Sequence, residues 1–301
     1  MPMTRLEEFG WRGPVEPGIA RVVSAHGDYY HLVCNEAPGE ILARRKKSVF
    51  AGKATRHAVV TRGANLEAGV AGADEATRPM TGDFVRFRYN DRGESLITEL
   101  LPRFSHFERK DPTARRKSQT LAVNFDTLFV MMSLNENFST ARIARYLALA
   151  EDMGEAEAVV VLTKMDLREE GDEDFLAALD ETVAGRAKTL RISALTGEGM
   201  DGVAAYARPG RTLAFIGSSG VGKSTLVNVL AGEEWQATQE IQSWSGKGRH
   251  TTTSRELVRL PSGALVIDTP GIREIGRVGE DEILQRKGES THRWRRGGAI
   301  S

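Results

Sequence analysis

The residues Gly217-Ser218-Ser219-Gly220-Val221-Gly222-Lys223-Ser224-Thr225 match the spacing G-x-x-x-x-G-K-[ST]. Glycines at these positions let the backbone turn its N–H groups inward around the phosphates of a nucleotide. Lys223 is placed to reach the β- and γ-phosphates, and Ser224 to hold Mg²⁺. Four weaker motifs accompany this loop. In Thr163-Lys164-Met165-Asp166 a carboxylate can accept paired hydrogen bonds from N1–H and N2–H of guanine, with the stem of Lys164 along the base. Adenine offers no such pair of donors. Ser193-Ala194 stands where a backbone N–H would meet guanine O6. Asp268-Thr-Pro-Gly271 matches a D-x-x-G pattern that positions Mg²⁺ through Asp268 and senses the γ-phosphate through the N–H of Gly271. Arg249-His250-Thr251-Thr252-Thr253 offers a threonine ligand for Mg²⁺, with Thr252 preferred and Thr251 next.

These motifs need strand ends to carry them. An apolar run, Thr212–Ile216, leads into the phosphate loop and an amphipathic run, 226–231, leaves it: strand, loop, helix. Strands are expected at 125–132, 158–162, 188–192, 255–260 and 264–268, the last two joined by the turn Pro261-Ser-Gly263. Helices are expected at 172–184 and 200–206, and between Ser139, an N-cap, and Gly154, a stop, with Ile143, Leu147 and Ala150 as the buried stripe. Six strands interleaved with helices predict a doubly wound α/β sheet. The guanine motifs precede the phosphate loop, the reverse of the usual order, so the nucleotide-binding domain is circularly permuted. Such a rearrangement is tolerable because domain termini tend to lie close together.

The first hundred residues follow a different grammar. Short β-rich segments at 19–26, 29–34, 40–43, 57–61, 83–89 and 95–101 are broken by turns such as Asn90-Asp-Arg-Gly93. They predict a small closed barrel of the oligonucleotide-binding type (OB-fold). The Gly- and Ala-rich loop 66–79 is expected to be mobile. The domain limits expected are 1–17 for an N-terminal extension, 18–105 for the barrel, 106–278 for the permuted GTPase domain and 279–301 for a short basic tail.

The net charge of zero conceals a segregation. From Arg44 to Arg62 there are seven basic residues and no acidic one, and a second basic cluster runs from Arg103 to Lys117. From Glu151 to Glu181 there are twelve carboxylates against Lys164 and Arg168. The basic side suits a polyanion. Tyr29, Tyr30 and His31 are available either for base stacking or for the barrel core. No run of 18 apolar residues occurs and the N-terminus is too acidic for a secretory signal, so a cytoplasmic protein with no membrane partner is expected. Cys34 is the sole cysteine, which rules out an internal disulfide and any site needing several thiolates.

The barrel, the run Gln119-Thr-Leu-Ala-Val-Asn-Phe-Asp126, the permuted motif order, the phosphate loop and Gly248-Arg-His-Thr-Thr-Thr253 together resemble the ribosome small-subunit-dependent GTPase A family over roughly residues 18–275. The resemblance implies a GTPase that binds GTP, GDP and Mg²⁺ and acts late in assembly of the small (30S) ribosomal subunit. It implies contact with 16S rRNA, slow hydrolysis accelerated by the subunit, and His250 as a catalytic residue beside Lys223; a monomer is expected. Three positions depart from the family pattern. Thr163 stands in place of the usual Asn, and guanine preference is expected to survive the change. The C-terminal zinc module of the family has no cysteine counterpart, so zinc is not expected. Gly220 occupies the position of the Asn that potassium-dependent GTPases carry, so potassium activation is not expected. Ile272 takes the place of the water-orienting Gln of many GTPases. The alternative reading is a nucleotide-gated rRNA-binding protein with negligible hydrolysis.

Overall fold

The computed structural model describes residues 2–45, 78–109, 119–135, 138–232 and 256–268. A short helix α1 (Arg5–Glu8) opens the chain, closed by a reciprocal cap in which Thr4 accepts from the Glu7 N–H and Glu7 accepts from the Thr4 N–H. Five strands follow: β1 (Ile19–His26), β2 (Tyr29–Cys34), β3 (Ile41–Arg45), β4 (Phe84–Arg88) and β5 (Ser95–Leu100). Their order is β1-β2-β3-β5-β4, and β4 pairs back to β1, which closes the barrel. β3 and β5 run parallel while the other pairs are antiparallel, giving the expected OB-type barrel. Ala20, Val22, Leu32, Ala43, Val85, Phe87 and Ile97 fill its interior. Period-two alternation selects these residues, except on β1, where five successive positions are buried because its outer side faces the second domain. Asn90 turns the chain into β5 by accepting from the Arg92 N–H (3.2 Å).

Tyr30 belongs to this interior and is 1% exposed, so it is unavailable for stacking; Tyr29 and His31 point outward from the strand. The expected strand at 57–61, most of the loop 66–79 and the basic residues from Lys46 to Arg62 lie outside the described residues.

A hairpin, β6 (His106–Arg109) and β7 (Gln119–Val123), leads to the second domain. Its strands are β8 (Thr127–Ser133), β9 (Glu157–Thr163), β10 (Lys188–Arg191), β11 (Thr212–Ile216), β12 (Glu256–Arg259) and β13 (Leu265–Asp268), and its helices are α2 (Thr140–Ala150), α3 (Glu173–Val183), α4 (Met200–Ala204) and α5 (Lys223–Ala231). The sheet order is β10-β9-β8-β11-β13-β12, parallel but for the last strand, β12, which forms an antiparallel hairpin with β13. Buried side chains on both faces explain why these strands read as apolar runs; all seven residues of β8 are buried. One face packs on α2 and α3 through Ile143, Tyr146, Leu176 and Leu179, and the other on α4 and α5 through Val203 and Leu226, so the sheet is doubly wound. Ser139 caps α2 by accepting from the Arg142 N–H. Gly154 has a role other than stopping that helix, which ends at Ala150: its φ is +84°, and a Cβ would lie 2.5 Å from the carbonyl oxygen of Phe104.

Ser24 of β1 pairs with Glu256 of β12, so barrel and second domain form one continuous sheet. Behind this seam lies a buried polar joint. Arg21, fully buried, donates from Nη1 to the Phe9 carbonyl (2.5 Å) and Thr212 Oγ1 (3.0 Å), from Nη2 to the Asn124 carbonyl (2.7 Å) and from Nε to the Gly82 carbonyl (3.3 Å). Loss of hydration pulls its guanidinium down to about 9, against the supporting charge of Asp126. Asn124, at φ +52°, donates to Gly82 O and accepts from Phe104 N–H. Asp126 accepts from Thr212 N–H (2.8 Å) and pairs with Arg12 and Arg211. Arg103, grouped by sequence with a basic cluster facing a polyanion, is instead internal: it forms a two-pronged bond with buried Asp83 at 2.7 and 2.8 Å. Burial opposes its charge, but Asp83 more than offsets this and holds the guanidinium above its ordinary range.

Candidate nucleotide site

The phosphate loop leaves the C-terminal end of β11 and enters α5 with Gly222 as N-cap. Gly217 is pressed against β8: a Cβ there would lie 2.8 Å from the Met131 carbonyl oxygen. Gly220 and Gly222 take φ values of +76° and +94°. Val221, 2% exposed, anchors the loop in the core. The loop and Lys164 enclose a cavity of about 440 Å³, lined by residues 217–225. Ser219, Gly220, Ser224 and Thr225 are exposed and Ser218 is half-buried. The first turn of α5 opens on this cavity, and the positive end of a helix dipole attracts an anion. Lys223 begins that turn.

The four residues from Thr163 to Asp166 leave β9 two strands away. Thr163 is buried, and its hydroxyl is 2.7 Å from the carbonyl of Val221 and 3.3 Å from that of Met132. The first contact ties the end of β9 directly to the phosphate loop. Lys164 adopts a left-handed conformation (φ +62°), which turns the chain into a short 3-10 segment, Met165–Leu167. Asp166 Oδ1 accepts from Ser193 Oγ (2.5 Å), and Ser193 Oγ accepts from the Thr196 N–H (3.1 Å). Ser193 therefore orients the carboxylate, while Ala194, half-buried, follows it with its backbone. A bond from Met165 N–H to Ile192 O (3.1 Å) locks the two loops together.

Three features of the site were not read from the sequence: the acceptor at Val221 O, the Ser193–Asp166 bond, and Leu195, which is 82% exposed beside Ala194. The signal for Leu195 was available as an apolar residue within a polar loop.

Asp268 ends β13, which pairs with β11, so it reaches the same edge of the sheet as the phosphate loop. Ser224 lies in the first turn of α5. Thr251, Thr252, His250 and Gly271 lie outside the described residues.

On the barrel, Tyr29 and Arg44 are register partners, with the Arg44 guanidinium 4.5 Å from the Tyr29 ring and a hydrogen bond to its hydroxyl. Arg44 also pairs with Glu94 (2.5 Å), and His31 lies 3.4 Å from Glu40. Tyr29 is 41% exposed.

A phosphate loop, two further strand-end motifs that precede it in the chain and a doubly wound sheet define a circularly permuted GTPase. The family model described as RsgA GTPase matches residues 100–278. The small ribosomal subunit biogenesis GTPase RsgA of Leptospira interrogans serovar Lai is 37% identical over 280 residues, covering 93% of this chain and 70% of that protein. The small ribosomal subunit biogenesis GTPase RsgA 2 of Lactiplantibacillus plantarum is 39% identical over 257 residues, covering 85% of this chain and 66% of its own length. Among solved structures, YjeQ from Thermotoga maritima shares the fold with a TM-score of 0.58 and 24% identity, over 85% of this chain and 76% of that one. The chain belongs to the RsgA GTPase family.

Proposed function

We propose that this chain binds GTP between residues 217–225, Lys164, Asp166 and residues 193–194, and hydrolyses it to GDP and phosphate when docked on the small ribosomal subunit late in its assembly. The hydrogen bond from Thr163 Oγ1 to Val221 O carries the reading, because it fixes the base-reading loop at a set distance from the phosphate cradle. A nucleotide spanning both ends is thereby bound in one register. Asp166, oriented by Ser193, selects guanine over adenine, since only guanine presents two adjacent donors. Leu195 gains burial when a base lies over it. Family membership and the printed names of the relatives support the ribosomal assignment.

In hydrolysis, the loop amides and Lys223 stabilise negative charge on the β- and γ-phosphates. Ser224, Thr252 and Asp268 would hold Mg²⁺, which would add to that neutralisation, and the Gly271 N–H would meet the γ-phosphate. Ile272 cannot orient an attacking water; either His250, where the family resemblance places a catalytic His and where a side chain of near-neutral ordinary pKa suits the role, or the partner RNA supplies that function on docking. Intrinsic turnover is then slow, and docking completes the site. On the barrel, the Tyr29–Arg44 stack offers a platform for an unpaired base of 16S rRNA.

Steady-state hydrolysis tests this, with purified protein alone, with small subunits, with large subunits, and with ATP in place of GTP. The expected outcome is strong stimulation that requires both GTP and the small subunit. GTP binding without stimulation would favour the nucleotide-gated RNA-binding alternative, and equal use of ATP would remove Asp166 from its role.

A further inference from the structure

Of the twelve carboxylates between Glu151 and Glu181, Asp166 is assigned to the proposed nucleotide site, and Glu151, Glu155 and Asp180 pair with Arg186, Arg12 and Arg191. Glu169 and Asp172 lie beside a second cavity. A cavity of about 780 Å³ opens next to Asp166 and shares no lining residue with the phosphate-loop cavity. Its apolar wall is Phe138, Leu167 and Phe175; the two rings meet edge to face at 5.6 Å, and Leu167 and Phe175 are 53% and 51% exposed. Packing of α3 does not explain Phe175, because that helix buries Leu176, Leu179 and Val183 and leaves Phe175 off the stripe. A single exposed apolar residue is ordinary, but several converging on a concavity mark a contact surface.

The rim decides what kind of contact. Asp166, Glu169 and Asp172 line the cavity, and the cation among its described lining residues, Arg168, is held by Glu173 at 2.8 Å. Asp172 is fixed by accepting from the Glu169 N–H (2.9 Å). An RNA backbone is repelled by this rim; a cationic peptide is drawn to it.

We propose that this cavity docks a lysine- and arginine-rich protein segment carrying one aromatic or branched aliphatic anchor. The anchor enters between Phe138, Leu167 and Phe175, and the flanking cations meet Glu169 and Asp172. On the proposed ribosomal role, on which this source of the segment rests, the face meets a protein component of the particle, while the barrel meets its RNA. The acidic stretch is then the complement of the basic one, and each polymer of the particle has its own side of the chain.

The test uses the full chain and two short fluorescent peptides rich in lysine and arginine, one with a central Phe and one with Ser in its place. Binding is read by anisotropy. The Phe peptide should bind about ten-fold more tightly than the Ser peptide, and Phe175→Ser should abolish that advantage. Glu169→Lys should weaken both peptides by roughly three-fold, more at low salt than at high. Equal affinity of the two peptides for the unaltered chain would overturn the proposal. So would a single-stranded RNA oligonucleotide whose binding falls with Phe175→Ser. The readout needs no hydrolysis: a chain that discriminates the peptides but fails to bind GTP upholds the docking surface and overturns the nucleotide reading.

Discussion

The two ends of the parallel sheet are built from opposite materials. At the N-terminal ends of β8 and β11 the contacts are dry and polar: Arg21, Asn124 and Asp126 bind backbone groups from the N-terminal segment, the barrel and the second domain. At the C-terminal ends the surface is open, with glycines at positive φ, exposed Ser224 and Thr225, and Leu195 in solvent. Five residues, Thr212–Ile216, connect the two. One end of β11 is pinned by Arg21 and Asp126, and the other carries the phosphate loop. A loop that must admit and release a ligand cannot itself be rigidly packed, so its position has to be set from behind.

Substitutions at the two ends should therefore separate cleanly into effects on chemistry and effects on stability. Lys223→Ala is the largest expected change: GTP turnover falls by about a thousand-fold, because charge on the phosphates loses its principal side-chain partner. Unfolding free energy, from urea titration followed by circular dichroism, should move by less than about 0.5 kcal/mol. A large loss of stability would mean that the open end also holds the fold.

Arg21→Met reverses the pattern. The apolar stem is replaced, but carbonyls of Phe9, Gly82 and Asn124 lose their donor in a site closed to water. Unpaired buried acceptors cost about 1–3 kcal/mol each in unfavourable cases, so a loss of about 3 kcal/mol is expected for the group after relaxation. GTP affinity, measured well below the new melting temperature, should change less than about two-fold. A comparable fall in affinity would show that the joint transmits to the phosphate loop rather than merely supporting it.

Asp166→Ala comes next. GTP affinity should fall about a hundred-fold while that for ATP stays level, because only guanine loses a charged acceptor for two donors. Competition binding with both nucleotides checks this, and a parallel loss for ATP would point to a general collapse of the loop.

Local signals in the chain explain which parts of this contrast were legible beforehand. Glycine spacing and apolar runs marked the phosphate loop, because both are local requirements of backbone geometry. The barrel was legible from alternation, and the permutation from motif order. The polar joint was not, because its partners lie up to 191 residues apart, as Arg21 and Thr212 do. Arg103 shows the cost of reading charge alone: its partner Asp83 precedes it by 20 residues, across β4 and β5, so the pair looked like one more cation in a basic cluster. Tyr30 and Tyr29 are adjacent in sequence, and only the phase of β2 decides that one is core and the other surface.

The smallest expected effect tests the link between the two motifs at the open end. Thr163→Val preserves shape and strand preference but removes the hydroxyl that reaches Val221 O. That carbonyl then loses a partner beside the cavity, where water can partly replace it, so the cost is at the lower end, about 1 kcal/mol. Divided between the ends of a bound nucleotide, this amounts to roughly five-fold weaker GTP binding. Thr163→Asn, which restores a donor at the same place, should recover most of it. If Thr163→Val instead lowers stability with no change in affinity, the bond belongs with the architectural contacts of the closed end, and the register of the nucleotide is set by the loop glycines alone.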